Sequence, residues 1–340
     1  MTPHALHQNP VKSSLRPVAV VATGSYVPEK VLTNADLAKI VDTSDEWITT
    51  RTGVRERHIA APNEVTSDLA VKAARRAIQK AGITPEEIDL IIVATITPDM
   101  PFPSTACFIQ EKLKAFKAFC FDIQAACAGF IYGLEIARQF VANGTANTAL
   151  VIGCEKLSSI TDWQDRSTCV LFGDGAGAAI LQGRPGSRGI FSTSLSADGR
   201  LTHLLNMPGG GSLHPASQQT LNDRMHYLKM AGKEVFKYAV NTMVDAANTV
   251  LKKASLTIDD VDLIFPHQAN IRIVQAIGDR LGAPLEKYYI NLERYGNMSA
   301  ASIPVALDEA LQKGVVKRSD VILLVAFGGG FAWGATLLEW

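Results

Sequence analysis

Cysteine is scarce in this sequence and offers no pairs. Cys107, Cys120, Cys127, Cys154 and Cys169 are odd in number, sit among apolar neighbours and never form a C-x-x-C step. That pattern speaks against a disulfide framework and a cysteine-ligated zinc site, so no metal is expected. A surplus of either charge is also missing: 33 lysines and arginines face 33 aspartates and glutamates. The balance argues against a dedicated nucleic-acid binder, although a local basic patch can still serve an acidic partner. The first sixteen residues hold Pro3, Pro10 and several polar side chains but no apolar run, so a loose tail is expected in place of a signal peptide. The one long apolar stretch, from Val321 to Trp340, is interrupted by Gly328, Gly329, Gly330 and Gly334. Two buried strands and a turn suit it better than a membrane span. The expectation is a cytoplasmic protein without membrane attachment.

What the chain does hold is apolar bulk and an internal repeat. Hydrophobic residues make up 47% of 340 positions, enough for two ordinary domains or one large duplicated unit. The segment from Val71 to Ile91 reappears from Val244 to Ile264, an offset of 173 (244 − 71). Ala73 and Ala74 match Ala246 and Ala247, Lys80-Ala81 matches Lys253-Ala254, and Asp89-Leu90-Ile91 matches Asp262-Leu263-Ile264. Each copy reads as an amphipathic helix, a short Thr-acid turn and a buried strand. Ala149–Gly153 and Ile322–Ala326 form a second strand pair, each preceded by a helix, near Gly129–Asn143 and Ala300–Lys313. The expected fold is therefore α/β, two similar halves packed together. Residues 1–16 form the tail, 17–190 the half carrying Cys127, and 191–340 the half carrying His267 and Asn297.

The repeat has a consequence for chemistry, because equivalent loops of two related halves meet at their interface, where ligands usually bind. Cys127 follows an apolar strand and precedes helical periodicity, in F-D-I-Q-A-A-C-A-G-F. A helix N-terminus favours the thiolate, the nucleophilic form. His267, in P-H-Q-A-N, sits at the end of a second-half strand, and Asn297, in G-N-M-S, just before the matching helix. Taken singly, a histidine or an Asn beside Gly is usually structural. Together the three admit two readings. One is a papain-like hydrolase. The other uses His and Asn as paired donors to an oxyanion beside an acylated cysteine, as for an enolate left by decarboxylation of a malonyl group.

The motifs T-S-D-E-W-I-T-T-R-T-G-V-R-E-R, A-A-C-A-G-F, P-H-Q-A-N, G-N-M-S-A-A-S-I-P and F-G-G-G-F-A-W-G follow one another in this order along the chain, and the likeness they carry extends from about Val18 to Trp340. In them the chain resembles the ketoacyl-acyl carrier protein synthase III family. The resemblance implies a thiolase-like five-layer αβαβα fold, a homodimer and a ping-pong condensation of an acyl-coenzyme A with malonyl-acyl carrier protein. Coenzyme A thioesters would be substrates, with no cofactor. Cys127 would be the nucleophile, its N–H and that of Gly329 the oxyanion hole, and His267 with Asn297 the enolate donors. Trp47 and Arg166 would sandwich the adenine, Arg51 would bind phosphates, and Asn270 would line the pantetheine channel. Phe102 would reach the acyl pocket from the partner subunit, beside Leu157, Leu171 and Phe327.

Lys229, Lys233 and Lys237 recur every four residues on one predicted helix and, with Arg272, suit an acidic carrier protein. Lys233 and Met298 depart from the family's usual Asn and Thr. Two relatives on the same scaffold are disfavoured: a degradative thiolase lacks its second cysteine beyond Cys169, and a hydroxymethylglutaryl synthase finds only Asp99 between Leu90 and Ala106. Secondary-metabolite acyltransferases and condensing enzymes stay open. Phe172–Ala178 fits a dinucleotide fingerprint, but the four residues A-I-L-Q before Gly183 are too short for the helix it requires.

Overall fold

The computed structural model describes residues 15–340. Of the tail expected at 1–16, residues 1–14 lie outside the described residues. Arg16 belongs to the fold, because its guanidinium donates to the carbonyls of Val141 and Ala146 at the end of a helix. The first half contributes β1 (Val18–Tyr26), α1 (Thr66–Ala81), β2 (Leu90–Ala94), α2 (Thr105–Leu113), β3 (Phe119–Ile123), α3 (Gly129–Ala142), β4 (Thr148–Glu155) and β5 (Gly175–Gly183). The second contributes β6 (Ile190–Ala197), α4 (Gly232–Ala254), β7 (Leu263–Pro266), α5 (Ile271–Leu281), α6 (Ser302–Gln312), β8 (Val321–Gly328) and β9 (Ala332–Glu339).

The first sheet runs β1-β5-β4-β2-β3 and the second, read from its matching edge, β6-β9-β8-β7. Strand directions agree as well: β4–β2 and β7–β8 are parallel, while the remaining matched neighbours are antiparallel. The repeat reaches the turns. Glu87 accepts from the Thr84 N–H and Asp260 from the Thr257 N–H, each at 2.7 Å, so both copies start their short turn with the same cap. The fingerprint-like stretch after Phe172 enters β5 and forms no helix.

Alternation along the strands builds the layers, since successive side chains face opposite sides. In β2, Ile92 faces the central helices α3 and α6, while Ile91 and Val93 face α1. In β8, Ile322, Leu324 and Ala326 face the centre, and Leu323 and Val325 face α4 and α5. The result is helix, sheet, helix, sheet, helix. Ile131, Leu134 and Leu307 are almost wholly buried in the middle layer, each stabilising the fold by about 2 kcal/mol.

A polar tie also joins the halves. Asp308 on α6 is fully buried and accepts from Thr23 (2.7 Å), Ser25 (2.7 Å) and Lys80 (2.6 Å) of the first half. Burial pushes its carboxyl up, but Lys80, Ser25 and Thr23 outweigh that and hold it below its ordinary value. Replacing Asp308 with Ala strands these donors. Urea denaturation is expected to show a loss of about 2–3 kcal/mol, whereas an unchanged midpoint would remove the tie from the fold's energetics.

Candidate active site

The chain leaves β3 and makes one tight turn, Ala126–Ala128, before α3 begins. The second half does the same at Ser299–Ala301 before α6. Both turns start on a non-glycine residue with positive φ, Ala126 at 44° and Ser299 at 48°, a strained conformation that surrounding packing must hold. Cys127 lies inside the first turn. Gly328, at the end of β8, packs on it so closely that a Cβ there would lie 2.5 Å from the Cys127 nitrogen. Glycine is therefore required where the second sheet meets the Cys127 backbone.

The surroundings of Cys127 oppose a thiolate. Cys127 is half-buried and lines a cavity wall. Burial pushes the thiol up to about 12; the Ser299 hydroxyl and its own backbone N–H pull it down, and the Glu155 charge adds to the rise. Desolvation disfavours the charged form and outweighs the helix N-terminus here. The balance at Cys127 favours the protonated thiol.

His267 follows β7, its N–H donating to the Val325 carbonyl at 2.7 Å. The ring is buried, Nδ1 has no hydrogen-bond partner, and burial pulls it down to about 3. It is a neutral imidazole. Asn297 is fixed by its backbone, which donates to the Leu171 carbonyl at 2.8 Å. Its Oδ1 accepts from the Ser299 N–H at 2.8 Å, which leaves Nδ2 as the free donor. Asn297 therefore does not orient His267, as the hydrolase reading would require.

Cys127, His267, Asn297, Ser299 and Gly329 line one cavity of about 390 Å³ whose other walls are mainly apolar, including Leu157, Phe172, Met207, Met230 and Phe327. Leu171 is not on this wall. It serves through its carbonyl, and its neighbour Phe172 faces the cavity, one residue away from the expectation. Phe102 is 86% exposed and absent from its own chain's cavity. Leu205–Asn206 pairs with Lys229–Met230 to form a flap over the site, a non-local pairing without a sequence signature.

At the rim, Trp47 carries the Arg51 and Arg166 guanidiniums, each 4.7 Å from its ring centroid. Arg166 also donates to the Asp42 carbonyl at 2.7 Å. An adenine needs about 3.5 Å on each face, so the 4.7 Å between Arg166 and the Trp47 ring leaves no room for a base between them in this arrangement. Asn270 caps α5 through the Arg272 N–H (2.9 Å) and donates to the Arg51 carbonyl (3.0 Å); Ala269 and Ile273 form the wall there. The single-helix lysine stripe is corrected too. Lys229 lies in the flap strand, because Met230 pairs with Leu205, and α4 starts only at Gly232. Lys233 and Lys237 are exposed on α4, with Arg272 exposed on α5.

The sequence reading missed Glu155 and Ser299. Glu155 is fully buried at the end of β4, accepting from Thr97 Oγ1 (2.6 Å), Thr95 Oγ1 (3.1 Å) and the Ile96 N–H (3.1 Å). A glutamate closing the apolar run A-L-V-I-G-C is the signal that could have found it. Among the described residues no cluster of metal-ligating side chains occurs, and no helix is long and apolar enough to cross a membrane.

Two family models match the chain: 3-oxoacyl-[acyl-carrier-protein (ACP)] synthase III over residues 121–199 and its C-terminal counterpart over residues 251–340. A beta-ketoacyl-[acyl-carrier-protein] synthase III of Desulfitobacterium hafniense is 56% identical, covering 95% of this chain and 98% of the relative. The crystal structure of 3-oxoacyl-[acyl-carrier-protein] synthase III from Aquifex aeolicus VF5 is 50% identical, with a TM-score of 0.88 over 95% of this chain and 100% of that one. The priming beta-ketosynthase of the R1128 polyketide pathway is 36% identical, with a TM-score of 0.89 over 96% and 97%. With its thiolase-type layers and its thiol, imidazole and carboxamide on one cavity, the chain belongs to the 3-oxoacyl-[acyl-carrier-protein] synthase III family.

Proposed function

We propose that this protein starts acyl chains, condensing an acyl-coenzyme A primer with malonyl-acyl carrier protein to give a 3-ketoacyl-acyl carrier protein, carbon dioxide and coenzyme A. One observation carries the reading: a thiol shares an apolar cavity with a neutral imidazole and a free carboxamide N–H. Cys127 attacks the primer thioester while the N–H groups of Cys127 and Gly329 hold the oxyanion. Coenzyme A leaves, and the malonyl thioester takes its place. Loss of the malonyl carboxylate supplies the carbanion, so no base has to remove a C–H proton. His267 and Asn297 Nδ2 donate to the enolate oxygen, and the carbanion attacks the acyl-cysteine.

The remaining roles follow from position. Trp47, Arg51 and Arg166 hold the nucleotide end of coenzyme A at the rim, with Asn270 fixing the Arg51 backbone. Leu157, Phe172 and Phe327 bound the acyl group. Phe102, exposed on its own chain, closes the pocket of the second subunit in a homodimer. Lys233, Lys237 and Arg272, with Lys229 beside them on the flap, dock the acidic carrier protein. The two halves, 17–190 and 191–340, work as one unit in the cytoplasm, with coenzyme A thioesters as substrates and no cofactor.

A panel of acyl-coenzyme A primers with malonyl-acyl carrier protein tests the reading. Wild-type protein is expected to yield the ketoacyl product and Cys127→Ala none. Acylation without condensation would indicate an acyltransferase, and no acylation would sink the assignment. A preference for an unusual primer would favour a specialised pathway, as in the R1128 relative.

Three further outcomes are expected. Asn297→Ala and His267→Ala should lower malonyl decarboxylation by about 10²–10³-fold while acyl-enzyme still forms. Because burial holds His267 near 3, it stays neutral throughout, and decarboxylation by pre-acylated enzyme should show no inflection at the ordinary histidine value of 6.5; an inflection there would assign it a charged role. Lys233→Glu with Lys237→Glu should raise the KM for malonyl-acyl carrier protein about tenfold and leave that for acyl-coenzyme A unchanged. Equal effects on both substrates would move the docking surface elsewhere.

A further inference from the structure

Acylation releases a proton, and the residues named so far leave it without an acceptor. The thiol must lose it as sulfur attacks, and His267, held near 3, is a poor base. Beside Cys127 stands Ser299, 3% exposed, whose hydroxyl makes no hydrogen bond of good geometry. Ser299 shares the cavity wall with Cys127, and its turn packs both on the Cys127 turn and on β4, the strand that ends in Glu155; the hydroxyl lowers the proton affinity of the thiol and of the carboxyl. Its position is enforced, because the positive φ of Ser299 and its N–H bond to Asn297 fix the turn.

Glu155 has donors but no counter-charge. Thr95, Thr97 and the Ile96 N–H hold it, while neighbouring Lys156 turns its ammonium to the carbonyls of Ala61 and Glu64. The titratable groups around it are the Cys127 and Cys154 thiols, with Asp99 and Asp174 adding negative charge at Cys154 and neutral His267 across the cavity. Burial pushes Glu155 up to about 7, against the pull of Thr97, Ile96, Ser299 and Thr95. Such a carboxyl exchanges a proton readily near neutral pH.

We propose that Glu155, acting through the Ser299 hydroxyl, takes the Cys127 thiol proton as the sulfur attacks the primer thioester and returns it to the departing coenzyme A thiolate. The bond from Sγ to the acyl carbon forms, and the bond from that carbon to the coenzyme A sulfur breaks, its electron pair leaving with that sulfur. The proton ends on coenzyme A, so Glu155 returns to its starting state and the enzyme has exchanged its thiol hydrogen for the acyl group. The inference rests on Cys127 being the acylated nucleophile.

Rapid-quench acylation by acetyl-coenzyme A, read by intact mass across pH, tests it in Glu155→Gln and Ser299→Ala, with malonyl decarboxylation by each acylated protein measured separately. Both variants should acylate about a hundredfold more slowly and decarboxylate within about twofold of wild type. The wild-type acylation rate should rise with pH through about 7, as the carboxyl loses its proton, and Glu155→Gln should lose that rise. Ser299→Ala removes an unpartnered hydroxyl and keeps the N–H that holds Asn297, so it remains decisive if Glu155→Gln misfolds. Wild-type acylation rates in either folded variant, or equal losses in both half-reactions, would overturn the relay. If wild-type protein itself does not acylate, the condensing-enzyme reading fails first and the relay falls with it.

Discussion

The tight turns that open α3 and α6 meet where the halves join, and they fit only because small residues face each other there. A Cβ on Gly153 would lie 2.2 Å from the Ala300 carbonyl oxygen, and one on Gly129 would lie 2.9 Å from the Ala94 methyl. Interiors this dense do not absorb an added methyl group without moving backbone. Cys127 lies two residues before Gly129 and Asn297 three before Ala300, so the spacing between the Cys127 thiol and the Asn297 carboxamide is set by this packing. Widening it would shift both turns at once. The apolar layers and the Asp308 tie hold the halves together around that point.

Burial then decides what the site can do. The thiol is pushed up and the imidazole down, so these two groups on the cavity wall carry little charge at rest, while the Glu155 carboxyl, off that wall, is pushed up only to about 7. In the proposed reaction, charge develops at the wall on a tetrahedral oxygen and then on an enolate. Fixed neutral donors in a low-dielectric site stabilise such charge without having to reorganise. A cationic imidazole or a resident thiolate would have to be held against desolvation throughout the cycle. Decarboxylation suits these surroundings, since its carbanion needs no strong base.

The sequence made the layered fold legible because its signals are local: helix amphipathicity, buried strands, and capped Thr-acid turns repeated at a fixed offset. Cys127, His267 and Asn297 were readable for a related reason, each lying where a strand or turn meets a helix in one of the repeats. What escaped depends on contacts distant in sequence. The flap pairing takes Lys229 out of the helix, and the Asn297 bond to the Leu171 carbonyl leaves Phe172 as the pocket wall. The expected pairing of Trp47 with Arg166 is present, but the direct contact between them, in place of a gap for a base, joins residues more than a hundred positions apart. The thiol's proton affinity escaped too, because desolvation belongs to the assembled cavity and no motif records it.

The repeat also explains why one site arises where the fold offers two equivalent junctions. The offset of 173 places Ala126 over Ser299, Cys127 over Ala300, and Glu155 over Gly328. In each half the end of the central strand packs against the tight turn of the other: β4 against Ser299–Ala301, and β8 against Ala126–Ala128. At one junction the strand ends in Gly328 and the turn holds the thiol, which leaves backbone close to sulfur and room for a substrate. At the other the strand ends in a carboxyl and the turn begins with a hydroxyl, which fills that space with hydrogen-bonding groups. The two junctions adjoin, since Ser299 borders Cys127 as well as Glu155. The repeat thus carries two copies of one strained turn, one with the Cys127 thiol and the other with the polar groups beside it.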